Sequence, residues 1–464
     1  MKSKFLISLL TFITATFAQS ANYYQTDFPP QEFKARWQNL LAKIGPEAVA
    51  VVQGVSLTNG FQMPRQSNEF YYLCGVETPH SYLLLDGRNQ KVTLYLPPRN
   101  ARLEAAEGKV LSADDAEQAR QLTGADEVLS TDVIRGDWFG KLAGGVPKTI
   151  YTLFSPAEGN AQSRGELLSA NASIASDYWD GRLPREAHFA NLIRARYPRT
   201  AVLDLTATLD EMRSVKSTRE VALIRRASQI AGEGMLAAMR ATKQGVYEYQ
   251  LDAAARHHYL MNGARLEGYR SITASGTTNI NNGHYYRNTR QMDNGDLVLM
   301  DFAPEYHYYT SDIGRMWPVN GKYNPVQREL LQFVLEFRNV VLKLLRPGVT
   351  PRQILDDAKK AMEPVLARTK FSKPLYEQSA RRMVETGGGV LSHPVGLTVH
   401  DDGPYGPGPL KPGHVFSIDP QLWVREESLY IRYEDVVVIT ESGYENFTAF
   451  LPSELNDLEK VVKP

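Results

Sequence analysis

Four acidic residues stand where apolar ones would be expected. The run 296–302 reads DLVLMDF, and Leu297, Leu299 and Asp301 share parity, so a strand here puts Asp301 on one face with two leucines. Asp312 follows eleven residues later, far enough for a hairpin to return it beside Asp301. Glu434 lies within the β-rich run 431–439, and Asp419 closes the apolar run 415–418. Carboxylates gathered in an interior repel one another and take up protons unless a cation sits among them. Oxygen-rich donors with one imidazole suit Mn2+, Co2+, Fe2+ or Zn2+ rather than a soft-metal site. The single cysteine, Cys74, makes neither an intrachain disulfide nor a thiolate centre alone.

Taken one at a time these residues are ordinary, because a lone acid at a strand end is more often ion-paired than a ligand. His393 and His400, seven apart in a Gly- and Pro-rich stretch, read singly as surface or satisfied histidines, and His257-His258 as packing residues of a helix. Gly387-Gly388-Gly389 is not followed by the Lys-Ser/Thr of a phosphate loop, so a nucleotide site is set aside.

The elements that must position these groups alternate along the chain. From residue 31 to about 132, amphipathic segments alternate with β-rich runs at 48–55, 70–73, 82–86 and 92–96. Residues 163–205 are polar, basic and irregular and read as a linker region with helices, its arginines a solvated face or an interdomain contact. Ser217 and Glu220 have capping-box spacing and open a long helix; further helices are expected over 247–261 and 327–345, and strands over 296–302, 414–419 and 430–439. The class is α/β (α+β), and 464 residues require more than one domain. With 52 basic and 52 acidic residues the net charge is zero, so no global field draws the chain to nucleic acid or anionic membrane.

Lys2 and Lys4 precede an apolar run at 5–17 and small residues at Ala18 and Ser20, the order of a secretory signal peptide. Thirteen apolar residues fall short of the ~20 that span a bilayer, so the expectation is an exported periplasmic or secreted protein with no stable membrane anchor.

The order of several motifs resembles the creatinase/prolidase/methionine aminopeptidase superfamily of metallopeptidases. The pair GDLVLMD (295–301) and SDIGRMWPVNG (311–321) is similar to the paired-aspartate block of aminopeptidase P and prolidase; SHPVGLTVHD (392–401) resembles the histidine block and IRYED (431–435) the final glutamate block. PRQSNEFYYLCG (64–75) looks like the amino-terminal domain of aminopeptidase P. The resemblance implies a signal peptide at 1–20, a small creatinase-like amino-terminal domain at 21–165, a linker region at 166–213, and a pita-bread catalytic domain at 214–464. It implies two divalent ions, Mn2+ foremost and Zn2+ or Co2+ as substitutes. Asp301 would bind one, Asp312 and Glu434 would bridge both, and His393 with Asp419 would complete the other. His284 would line the substrate pocket, His400 would contact the scissile peptide, and Arg432 would match the arginine two residues before the bridging glutamate.

By the same resemblance the reaction is release of the first residue from peptides with proline second, with water activated between the ions and no protein nucleophile. A homodimer or homotetramer is the family's assembly. Two departures stand at the site: Asp419-Pro420-Gln421 replaces the usual Glu-Pro-Gly, and Gly389 stands where a histidine is usual. They leave two other readings open, a peptide-binding scaffold on a degenerate peptidase fold and a dipeptidase restricted to Xaa-Pro.

Overall fold

A computed structural model describes residues 23–56, 65–403 and 406–462; the expected signal peptide at 1–20 lies outside them. The amino-terminal half is built on a sheet of β1 (Ala48–Gln53), β2 (Tyr82–Asp86), β3 (Lys91–Leu96), β4 (Glu127–Ser130), β5 (Thr149–Thr152) and β6 (Ala201–Asp204), in the order β4-β3-β2-β1-β5-β6. The first three pair antiparallel and the flanking strands parallel. Alternate β1 residues face different packing clusters, Ala50 and Val52 on one side and Val49 and Val51 on the other, so the apolar run AVAVV is buried on both faces.

Two expectations change here. The run 70–73 is not a strand but part of the helix Asn68–Cys74, stopped by Gly75 in the left-handed conformation (φ 66°). A short apolar run does not distinguish strand from buried helix, whereas the glycine stop does. The stretch read as a linker, 166–213, holds the helices Arg185–Arg196 and Thr206–Ser214 and most of Arg164–Ser176, and its β6 completes the sheet. The first unit therefore runs past residue 204.

The carboxy-terminal half carries smaller sheets. β7 (Leu266–Glu267), β10 (Pro304–Tyr306) and β11 (Tyr309–Thr310) form one; β8 (Ile272–Ser275), β9 (Leu297–Asp301) and β12 (Gly314–Pro318) form another in the order β12-β9-β8. β13 (Val415–Ile418), β16 (Asp435–Ile439) and β17 (Tyr444–Asn446) form a third, and β14 (Gln421–Val424) with β15 (Leu429–Arg432) a ribbon. Helices cover these sheets. The longest, Thr218–Ala241, starts with the expected box, in which Ser217 Oγ accepts from the Glu220 N–H and the Glu220 carboxylate accepts from the Ser217 N–H. Helices Glu248–Met261 and Pro325–Leu344 match the other expected segments.

The two halves share a core. One apolar cluster runs from Phe33 and Trp37 through Leu209 and Ile224 to Val395 and Val436. Beside it lies a seam of buried charge. Arg164 Nη2 donates to Glu69 (2.8 Å), Arg213 Nη2 donates to Glu158 (2.7 Å) and pairs with Asp401, and Lys216 Nζ donates to Asp401 (2.8 Å). Deleting one partner of such a pair leaves an uncompensated buried charge, at about 3–5 kcal/mol.

Candidate metal centre

The β9–β12 hairpin does what the parity of the sequence requires. Asp301 ends β9 opposite Gly314 on β12, and Asp312 sits just before β12, so both carboxylates reach the same end of the sheet. Glu434 does not lie in a continuous strand, as the run 430–439 suggested. The chain leaves β15 at Arg432 and enters β16, in a different sheet, at Asp435. At this crossing the Glu434 N–H donates to Gly314 O (3.0 Å), and a Cβ on Gly314 would lie 3.1 Å from Glu434 Oε2, which is why the SDIGR motif has glycine there. Asp419 follows β13 directly.

These elements converge on a buried cluster. Asp312, His393 and Glu434 each offer one ligand atom, all within 4.8 Å of one another. His393 Nδ1 donates to its neighbour Pro394 O (3.1 Å), which leaves Nε2 facing Asp312 Oδ2 at 3.2 Å. That is the tautomer a ligand needs, since a metal takes the nitrogen that does not carry the hydrogen. Burial holds the His393 pKa below the ordinary range and keeps the ring neutral. Burial, reinforced by the charge of Asp301, pushes the Asp312 pKa well up; burial also raises Glu434 despite Arg432. Such a set of crowded oxygens with one imidazole fits a divalent cation, which would relieve the repulsion and displace the protons.

Arg432 is the cation this chain itself supplies. Its guanidinium donates from Nη1 to Asp301 Oδ2 (2.6 Å), from Nε to Asp419 Oδ1 (2.9 Å), and from Nη2 to Asp419 Oδ2 (2.8 Å) and Glu434 Oε2 (2.6 Å). The remaining oxygens are held too: Tyr269 OH donates to Asp301 Oδ1 (2.6 Å) and Ser417 Oγ to Glu434 Oε1 (2.6 Å). Burial raises the Asp419 pKa well above the usual range although Arg432 lowers it. Gln421, which stands where the family has glycine, donates to Asp419 Oδ2, and a Cβ on Gly389 would lie 3.4 Å from Gln421 Nε2. The two departures in the sequence thus meet in space, with Gln421 beside Gly389 and holding the acid.

The cluster opens into a cavity of about 750 Å³ whose walls include His284, His400, Trp423 and Tyr430. His284 is exposed on its wall. The His400 ring stands edge-on to His393, centroids 4.3 Å apart, and the rings of Trp423 and Tyr430 stack at 3.8 Å. Seven of the eight residues singled out in the sequence line this cavity, and Glu434 lies beneath it bonded to Arg432. Of the five expected ligands, Asp312, His393 and Glu434 form the tightest group, while Asp301 and Asp419 are tied to it through Arg432. Sequence reading did not single out Tyr269, Ser417 or Glu166, which hold Asp301, Glu434 and His400. A lone tyrosine, serine or helix-face glutamate carries no spacing signal that would have found them.

The signature of metallopeptidase family M24 matches residues 222–441, and that of the aminopeptidase P N-terminal domain matches residues 33–151. The Xaa-Pro aminopeptidase of Escherichia coli is 31% identical over 93% of this chain and 97% of its own length; that of Haemophilus influenzae is 29% identical over 95% and 99%. Among solved structures, E. coli aminopeptidase P with the inhibitor Pro-Leu superposes with a TM-score of 0.74 at 28% identity, covering 94% of this chain and 99% of that one. Aminopeptidase P II of Yersinia pestis superposes at 0.73 over the same shares. A carboxylate–imidazole centre in a two-part fold, with relatives matching it end to end, places the chain in metallopeptidase family M24, with the aminopeptidase P type of amino-terminal domain.

Proposed function

We propose that this chain is a metal-dependent aminopeptidase that releases the first residue of peptides with proline in second position. The observation that carries the reading is the cluster of Asp312, His393 and Glu434 at the floor of an open cavity, on a chain matched over nearly its whole length by Xaa-Pro aminopeptidases. Asp301, Asp312, His393, Asp419 and Glu434 would hold two divalent ions. Hard oxygen donors favour Mn2+, with Zn2+ and Co2+ as substitutes. When bound, the ions supply Lewis-acid polarisation of the scissile carbonyl and a lowered pKa for the attacking water.

The chain's own residues do the rest. Arg432 fixes the carboxylates, so the ligand atoms are set before any ion arrives. His400, on the cavity wall beside His393, is placed to contact the reacting peptide, and His284 to line the pocket. An Xaa-Pro bond has no N–H, so the pocket needs no acceptor there. The stacked Trp423 and Tyr430 give an apolar wall for a pyrrolidine ring.

Export to the periplasm or outside the cell is part of the proposal, supported by the residue order at 2–20. Among the described residues no helix is long and apolar enough to cross a membrane. A homodimer or homotetramer is proposed from the family alone. The test is incubation of the purified protein with an Xaa-Pro-Yaa tripeptide and Mn2+, Zn2+ or Co2+ in turn, with products read by mass spectrometry. Release of the first residue is expected. Cleavage of Xaa-Pro dipeptides alone would make the chain a dipeptidase, and bound ions without cleavage of either would leave a peptide-binding scaffold.

A further inference from the structure

The residue expected to meet the scissile peptide, His400, is not held by its own domain alone. The His400 N–H donates to Ser163 Oγ (3.2 Å), and its ring Nδ1 lies 2.5 Å from Glu166 Oε1. Ser163 and Glu166 belong to the start of the helix Arg164–Ser176, in the stretch that the sequence presented as the boundary of a linker. Both line the same cavity as His400 and the acids.

We infer that Glu166 is the positioning residue for His400, reaching into the active site from the amino-terminal side to fix the tautomer and aim of its imidazole. A carboxylate only accepts hydrogen bonds, so the contact puts the ring hydrogen on Nδ1 and leaves Nε2 as the nitrogen that faces the cavity with its lone pair, or with a proton when the ring is charged. A ring without this partner would populate both tautomers and would turn about its χ2 axis, and positioning losses of ~1 Å cost on the order of 10²-fold.

An exposed pair is usually worth little, and the Glu166 side chain is half exposed. Here both partners are anchored. Arg164, two residues before Glu166, is buried and donates to Asp210 (2.6 Å) and Glu69 (2.8 Å). Asp401, next to His400, is buried between Arg213 and Lys216, and its N–H donates to Pro394 O (3.0 Å). Each partner of the contact therefore lies within two residues of one locked into the charged seam. The anchoring removes much of the backbone entropy that would oppose the contact, leaving the side-chain torsions of Glu166 to be ordered by the bond itself. A glutamate in the first turn of a helix is also favoured by the helix dipole.

The inference rests on the aminopeptidase reading, and the test separates the two. kcat and KM on an Xaa-Pro-Yaa peptide are measured for wild type, Glu166→Ala, Glu166→Gln, His400→Ala and the Glu166→Ala/His400→Ala double variant. Metal-free, histidine-labelled wild type and Glu166→Ala are compared by two-bond 1H–15N correlation. Glu166→Ala should lower kcat by ~10–100-fold with KM nearly unchanged. Glu166→Gln should recover most of the loss, because an amide oxygen still accepts from Nδ1–H. In the His400→Ala background the Glu166→Ala change should have no further effect. The His400 signals should move from the Nδ1–H pattern in wild type to a mixture in Glu166→Ala. A full-rate Glu166→Ala, or the same fold-loss with and without His400, overturns the inference. A rise in KM alone does so too, since it would make the carboxylate a substrate-binding group. If wild type is inert the aminopeptidase reading fails, and the tautomer spectra still decide whether Glu166 sets His400.

Discussion

Replacing Arg432 with Met tests the view that this arginine stands in for positive charge at the centre. The change removes the guanidinium that contacts Asp301, Asp419 and Glu434 at 2.6–2.9 Å and keeps an unbranched side chain in its place. Breaking one buried ion pair costs about 3–5 kcal/mol. The separate bonds do not add, because the three carboxylates share one guanidinium and can take up protons once it is gone, so the same range applies to the whole substitution. In a unit of this size each kcal/mol moves Tm by about 2–4 °C, so the metal-free variant should melt roughly 6–20 °C below wild type. Bound ions offset the same charges, so the deficit should shrink by half or more in saturating Mn2+ or Zn2+. Differential scanning calorimetry of both proteins, in chelator and in metal, reads all four values. Equal Tm values in chelator, or an equal deficit in chelator and in metal, would refute the reasoning.

Other outcomes follow from the same geometry. Asp312→Asn and Glu434→Gln should each lose an ion on dialysis, since an amide does not replace a shared carboxylate; elemental analysis finding the wild-type content would remove both from the ligand set. His400→Ala should keep its metal and lose ~10²-fold or more in rate on Xaa-Pro-Yaa, and an unchanged rate would make it an ordinary loop histidine. Asp419→Glu should lower metal occupancy and rate, because Arg432 and Gln421 already grip the shorter carboxylate; a faster enzyme would show that the site was left slack by the missing methylene. Glu434 has its pKa raised on folding, so its contribution to stability is complete below the ordinary carboxylate range and is lost as pH rises toward the raised value. Relative to Glu434→Gln, metal-free wild type should therefore lose stability as pH rises above the ordinary carboxylate range, and an advantage that widens with rising pH would contradict the shift.

The positions of the candidate ligands were legible because their signal is local. The apolar run marked β9 as an interior strand, buried on both faces, with Asp301 at its end, and the eleven-residue spacing allowed the chain to bring Asp312 back beside it. Glu434 was found by motif but misplaced in structure, since periodicity within 430–439 does not register a chain that changes sheets between Arg432 and Asp435. The stretch 163–205 failed for a related reason. Its first helix buries only Arg164, so composition looks like a solvated linker, while the residue that matters is a charge whose partners are far away in sequence. Glu166 and Tyr269 escaped notice because their importance lies wholly in what they touch.

The charged seam also governs how such chains can be recombined. Glu69 and Glu158 on one side meet Arg213 on the other, and Arg164 and Asp401 stand in the same row, so the halves fit like a keyed lock. A chimera that joins this amino-terminal half to a relative's catalytic half inherits a matching rule: the incoming part must bring its own Arg–Lys–Asp set in register. An apolar partner surface would take Arg213 away from the two glutamates and leave them sharing Arg164. Compatibility between modules is thus written at the seam, in a handful of side chains outside the metal centre.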